Sequence, residues 1–153
     1  MFKKVWINIS FLNNVSFPGL KMGLEKVMHE KREIVHEDYR RTIITAFNGE
    51  ERFGGCKFKQ SKFLYVKSQD VVLGGHYHEY AELYYLNRGE AHVTLEDVET
   101  RRREQIFMAA HDVLFIPAKV AHKVWIQANS ELVGYTEECY VSAEENDMPY
   151  EIR

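Results

Sequence analysis

The sequence predicts an all-β domain, a small barrel or sandwich entered by a short N-terminal arm. Three observations predict it. Short runs rich in Val, Ile, Tyr, Phe and Thr recur at 42–47, 63–67, 82–86, 91–95, 113–116, 123–126 and 132–135, a composition that suits a pleated, half-buried surface. Turn-forming residues separate them: Asn48-Gly49, Gly54-Gly55, Gly74-Gly75, Asn87-Arg88-Gly89, Pro117 and Asn129-Ser130. The chain has 153 residues with nine Phe, nine Tyr and two Trp, one domain's length with enough large side chains to fill one core.

Residues 1–39 read as an N-terminal arm, partly irregular. Lys3 and Lys4 precede Val5-Trp6-Ile7 as in a leader, but Asn8, Asn13 and Asn14 interrupt the apolar stretch and no small-residue cleavage site follows. Met22 offers a second start, so residues 1–21 need not belong to the folded domain. From 23 to 38 the apolar points Leu24, Val27, Met28, Ile34 and Val35 stand among charges, which suggests a short helix followed by an entering strand. The barrel is expected over 40–141. Within it, 90–110 should hold a hairpin carrying Arg101-Arg102-Arg103, read as a solvated turn because Glu96, Asp97, Glu99 and Glu104 surround it. The tail, 142–153, is acidic and contains Pro149; it is expected on the surface or over a neighbouring subunit.

Composition excludes several classes of function. Twenty Lys and Arg against 23 Asp and Glu give a net charge of −3, without the basic excess of a nucleic-acid footprint. No stretch approaches the ~18 apolar residues of a membrane span. Cys56 and Cys139 are too few and too scattered for a disulfide framework or a thiolate zinc site, and read as free thiols in a reducing cytoplasm. A chain of this size needs no metal merely to fold, so a metal site here would serve function.

Three of the seven histidines stand out. His76 and His78 are two apart and project to one face of a strand. A bend at 79–81 lets the next strand return Glu82 to the same interior, where Glu82, Tyr84 and Leu86 share a face. Gly89 suits the tight turn that follows. Further on, Pro117 ends a buried strand and His122 opens the next. Three imidazoles and one carboxylate inside a barrel suit a divalent first-row metal with open positions. His92 reads as an outward strand residue opposite Ala91, Val93 and Leu95. His29, His36 and His111 have no partner at ligand spacing and read as surface or turn residues.

The pattern H-x-H-x(3)-E-x(6)-G at His76, His78, Glu82 and Gly89 resembles the first motif of the cupin superfamily. The turn and P-x-x-x-x-H at Asp112, Pro117 and His122 resemble the second. The resemblance covers about 71–127. It implies a double-stranded β-helix (jelly-roll) barrel with one divalent ion, iron, manganese or zinc, held by His76, His78, Glu82 and His122. Asp70, His111 and Lys119 stand where the family's glycines are usual and Ile126 where an asparagine is; these departures concern turns and packing, not ligands. Three stretches, 38–43, 74–78 and 89–95, also resemble cupin domains of bacterial surface-polysaccharide assembly.

Three functions fit this set. The first is a sugar or sugar-nucleotide isomerase or epimerase, with the metal as Lewis acid, Tyr84, Tyr77 or Glu79 moving a proton, and Arg40 or an Arg of 101–103 holding phosphate. The second is an iron-dependent dioxygenase. The third is a non-catalytic module that binds or senses a small ligand. Tyr84 is the candidate catalytic residue, because strand alternation carries it to the interior beside Glu82. A cytoplasmic homodimer acting on a small molecule is expected, with Tyr85 and Trp125 either facing a partner or buried between the sheets.

Overall fold

The computed structural model describes residues 23–47 and 55–152, so the expectation for 1–21 lies outside the described residues. The first elements are a 3-10 turn, Gly23–Lys26, and strand β1, Met28–Lys31. Strands β2 (Ile34–Asp38) and β3 (Arg41–Ile44) form a separate hairpin. Eight longer strands follow: β4 (Gln60–Tyr65), β5 (Val71–Tyr77), β6 (Glu82–Arg88), β7 (Glu90–Asp97), β8 (Arg103–Ala109), β9 (Asp112–Ile116), β10 (Val120–Ile126) and β11 (Glu131–Thr136). A short helix α1, Ala143–Asn146, and a two-residue strand β12, Met148–Pro149, end the described chain.

The strands build two five-stranded antiparallel sheets, ordered β1-β9-β6-β11-β4 and β12-β5-β10-β7-β8. From β4 onward the chain passes between the sheets at nearly every connection; only the β7–β8 hairpin stays within one. That is the winding of a jelly roll, the barrel expected from the motifs. The hairpin carries the Arg run, as the sequence suggested. The first sheet begins before residue 40, because β1 pairs with β9 from Met28↔Phe115 to Lys31↔Asp112.

Alternation fills the interior. Leu86, Ala91, Val93, Leu95, Met108, Leu114, Ile116, Val124 and Ile126 are all buried in one cluster between the sheets, and each large one contributes about 1.5–3 kcal/mol by leaving water. Strands β6 and β9 are buried on both faces. Their outward residues Leu83, Tyr85, Val113 and Phe115 form a second cluster, covered by Ile44, Ala46, Phe47 and Phe58 of the connecting segment. Tyr85 therefore faces outward and is covered by its own chain. Trp125 faces out from the other sheet, half-buried, with its ring 5.2 Å from that of His92.

Two positions departing from the family's glycines keep the backbone that glycine would favour. His111 and Lys119 have φ of 74° and 63°, the left-handed region that costs an ordinary residue about 1–2 kcal/mol.

Candidate metal centre and pocket

Strand β5 sets the histidines in place by changing phase. Val71 and Leu73 pair with Ile126 and Val124, whereas His76 pairs with His122, and the register shifts between His122 and Lys123. The extra residue falls at Gly74-Gly75, both with positive φ. It turns the inward set from odd to even numbers, so that His76 and His78 face the interior. Only glycine fits at 74, where a Cβ would collide with the His122 carbonyl oxygen.

The predicted ligands meet. The ligand nitrogens of His76, His78 and His122 lie within 4.8 Å of one another. Glu82 Oε1 is 3.4 Å from His78 Nε2, and Glu82 Oε2 is 3.4 Å from His122 Nε2. The Tyr84 hydroxyl donates to Glu82 Oε2 at 3.0 Å and lies 3.3 Å from His122 Nε2. All of these side chains line one pocket of about 410 Å³, together with Lys62, Leu64, Gly134 and Tyr140.

Burial decides the charges. It pushes His122 down to about 4, helped by the nearby His78. Burial, then the neighbouring His122, also lowers His76. Both imidazoles are thus neutral at neutral pH, with lone pairs free to donate. Burial raises Glu82 despite the opposing effect of His78 and the Tyr84 hydrogen bond, and raises Tyr84 well above its ordinary value, keeping it a phenol. Neutral imidazole nitrogens and one carboxylate are the donor chemistry of a first-row divalent ion. Two tetrahedral ligands at about 2.1 Å from one ion lie roughly 3.4 Å apart, so rings whose nitrogens are within 4.8 Å would close by about 1.4 Å or less. The donor set fits a metal.

The tail supplies a residue that the motifs did not reveal. Asp147 Oδ2 lies 3.2 Å from His76 Nδ1, and His78 Nδ1 donates to the Asn146 carbonyl at 2.8 Å. These contacts fix the ring orientations and leave His78 Nε2 turned toward Glu82. The segment is held because β12 pairs with β5, with Met148 opposite Tyr77 and Pro149 opposite His76. Beyond it the Tyr150 hydroxyl donates to Glu96 Oε1 at 2.7 Å. The tail lies on the surface of its own barrel, one of the two positions expected of it. No local sequence signal marks Asp147; it stands 69 residues or more from either histidine.

Other expected roles do not converge here. Tyr77 packs its ring against Tyr150, and Glu79 lies 3.7 Å from Lys119; neither lines the pocket. Arg40 is paired with Asp38 in the β2–β3 turn. Arg101 and Arg103 are not a free solvated run: both bind the buried Glu96, at 2.9 and 2.6 Å. His92 is exposed on the outer face, His29 binds Asp112 at 3.0 Å, His36 binds Asp38, and His111 forms a turn. Cys56 and Cys139 are free.

Comparison with solved structures finds this fold in sugar-nucleotide enzymes. A dTDP-6-deoxy-D-glucose-3,5-epimerase from Legionella pneumophila Philadelphia 1, in complex with dTDP-4-keto-L-rhamnose, superposes with a TM-score of 0.67 at 18% identity, over 80% of this chain and 71% of that one. A dTDP-4-dehydrorhamnose 3,5-epimerase from Bacillus anthracis, with TDP and PPi bound, gives 0.68 at 16% identity, over 83% and 80%. A 3,4-ketoisomerase from Thermoanaerobacterium thermosaccharolyticum, a double mutant in complex with TDP, gives 0.65 at 16% identity, over 81% and 87%. The shared feature is the barrel. No family model matches the sequence, and no curated protein matches it.

Proposed function

We propose that this protein is an epimerase or isomerase of a keto sugar or sugar nucleotide. The observation that carries the reading is the convergence of His76, His78, His122, Glu82 and the Tyr84 hydroxyl in one pocket, on a barrel shared with enzymes of that chemistry. Such reactions remove a proton from a carbon beside a carbonyl and return one to the same or a neighbouring atom. His76, His78, His122 and Glu82 would hold a divalent ion, which when bound supplies Lewis-acid polarisation of the substrate carbonyl. Tyr84, kept protonated by burial, hydrogen-bonds a substrate oxygen, with Glu82 accepting the bond when substrate is absent. Asp147 orients His76.

The Asp147–His76 contact favours a second reading of the same reaction. A carboxylate on Nδ1 holds the tautomer whose other nitrogen is a base and stabilises the imidazolium that forms. On this reading His76 takes the proton itself and needs no metal.

One experiment tests both. Purified protein is incubated in D₂O with dTDP-4-keto-6-deoxyglucose and related keto sugars, and deuterium beside the carbonyl is followed by NMR. Exchange is expected, and Tyr84→Phe should slow it by roughly ten-fold or more, about one lost hydrogen bond. Exchange abolished by chelation and restored by metal supports the first reading; exchange indifferent to chelation supports the second. If no keto sugar exchanges and the metal-loaded protein consumes O₂ with an organic substrate, the dioxygenase reading replaces both.

A further inference from the structure

The site holds Glu82 and Asp147, yet the same pocket is lined by a lysine that forms no ion pair among the described residues. Strand β4 is an edge strand, and its alternation turns Lys62 and Leu64 toward the pocket while Phe63 and Tyr65 face out, each 64% exposed. Lys62 pairs with Gly134, and Gly134 pairs with Tyr84, in one row across three strands. Glycine in the middle leaves no side chain between the ammonium and the phenol. The two Cα atoms are two strand spacings apart, about 9.6 Å.

Several other cations of the chain are ion-paired. Lys59 is bound to Glu138, Lys119 to Glu79, Arg40 to Asp38, and Arg101 and Arg103 to Glu96. Lys62 instead rests over the ring of Tyr140, its Nζ 3.5 Å from the centroid, and among the described residues no carboxylate oxygen lies within 4 Å of it. Burial pulls its pKa below the ordinary lysine value, against the opposing fields of Glu82 and Asp147, so the ammonium gains by any anion that replaces lost water. The pocket thus carries carboxylates and imidazoles together with an ammonium that, among the described residues, closes no ion pair.

We propose that Lys62 is an anion anchor: the pocket takes a monosaccharide-sized ligand bearing one carboxylate or phosphoryl group, which sits on Lys62, across Gly134 from Tyr84. A sugar ring with one charged substituent fits a cavity of about 410 Å³. The inference rests on the keto-sugar reading and adds the charge its substrate must carry.

Calorimetric titration tests it with four probes: D-glucose, D-glucuronate, glucose 1-phosphate and dTDP-glucose, each on wild type, Lys62→Met and Lys62→Arg. Inorganic phosphate alone is the control for simple ion binding. The wild type should bind at least one anionic sugar about ten-fold or more tighter than glucose, the equivalent of one charge-assisted hydrogen bond. Lys62→Met should abolish that preference without changing glucose affinity, and Lys62→Arg should keep part of it. Glucuronate and glucose 1-phosphate preferred over dTDP-glucose identify the sugar's own substituent as the anion; the reverse order identifies the nucleotide diphosphate. Should Lys62→Met fold poorly, the wild-type preference measured between 50 and 500 mM NaCl replaces it, and must shrink with salt. Glucose and the anionic sugars binding equally, or a preference that survives Lys62→Met, overturns the anchor and leaves the keto-sugar reading standing. Failure of all four to bind overturns the anchor and the sugar reading together.

Discussion

The two ends of the barrel interior are made by the same strands and differ completely in chemistry. Along β6 the inward residues run Glu82, Tyr84, Leu86; along β10 they run His122, Val124, Ile126. Within four residues the interior passes from ionisable groups to hydrocarbon. The apolar end is stabilised by its own packing. The polar end holds a buried carboxyl pushed up and imidazoles pushed down, so it gains most from what it binds. One strand can serve both because side chains two residues apart share a face but not a neighbourhood.

The largest expected effect is at the apolar end. Leu86 is fully buried in the interior cluster, and Leu86→Ala should cost about 2–5 kcal/mol in urea unfolding. Metal affinity of the folded protein should not change; a fall would show that the two ends are coupled and break the comparison. At the polar end, Asp147→Asn keeps the shape and removes the charge beside His76. Metal affinity measured by chelator competition should drop about 10–100-fold, with the melting temperature little altered. Unchanged affinity with slowed proton exchange would sharpen the picture, placing Asp147 on a base and not on a ligand. The smallest effect concerns the loop between β9 and β10. Lys119→Gly relieves a φ of 63° and should raise stability by about 0.5–1 kcal/mol, since the exposed Lys119–Glu79 pair it removes is worth little. Metal binding should be untouched.

The same division explains what could be read in the sequence. His76, His78, Glu82 and Tyr84 were legible because a period of two and one short bend carry them to one face. Pro117 and His122 added the opposing strand. The β7–β8 hairpin with its Arg run was legible from spacing, but the buried partner of Arg101 and Arg103 was not, since Glu96 reads as one more charge in an acidic surround. Tyr85 faced outward as alternation required; that Ile44, Ala46, Phe47 and Phe58 would cover it follows only from the path of the chain. Asp147 left no trace at all, because its contact is made by a return of the chain across 69 residues or more. The phase change at Gly74-Gly75 lies between these cases. Two adjacent glycines mark a break, but which residues face inward beyond it depends on pairing with β10.

The lean of the tail on the histidines also has a consequence in time. A chain emerging from the ribosome can close the β4–β11 barrel as soon as Thr136 is clear. The carbonyl that orients His78 arrives with Asn146, 68 residues after that histidine, and the hydroxyl that pins the segment to Glu96 arrives with Tyr150. On the proposed metal reading, the donor set of His76 and His78 is therefore oriented in full only once the segment carrying Asn146 and Asp147 has docked on β5.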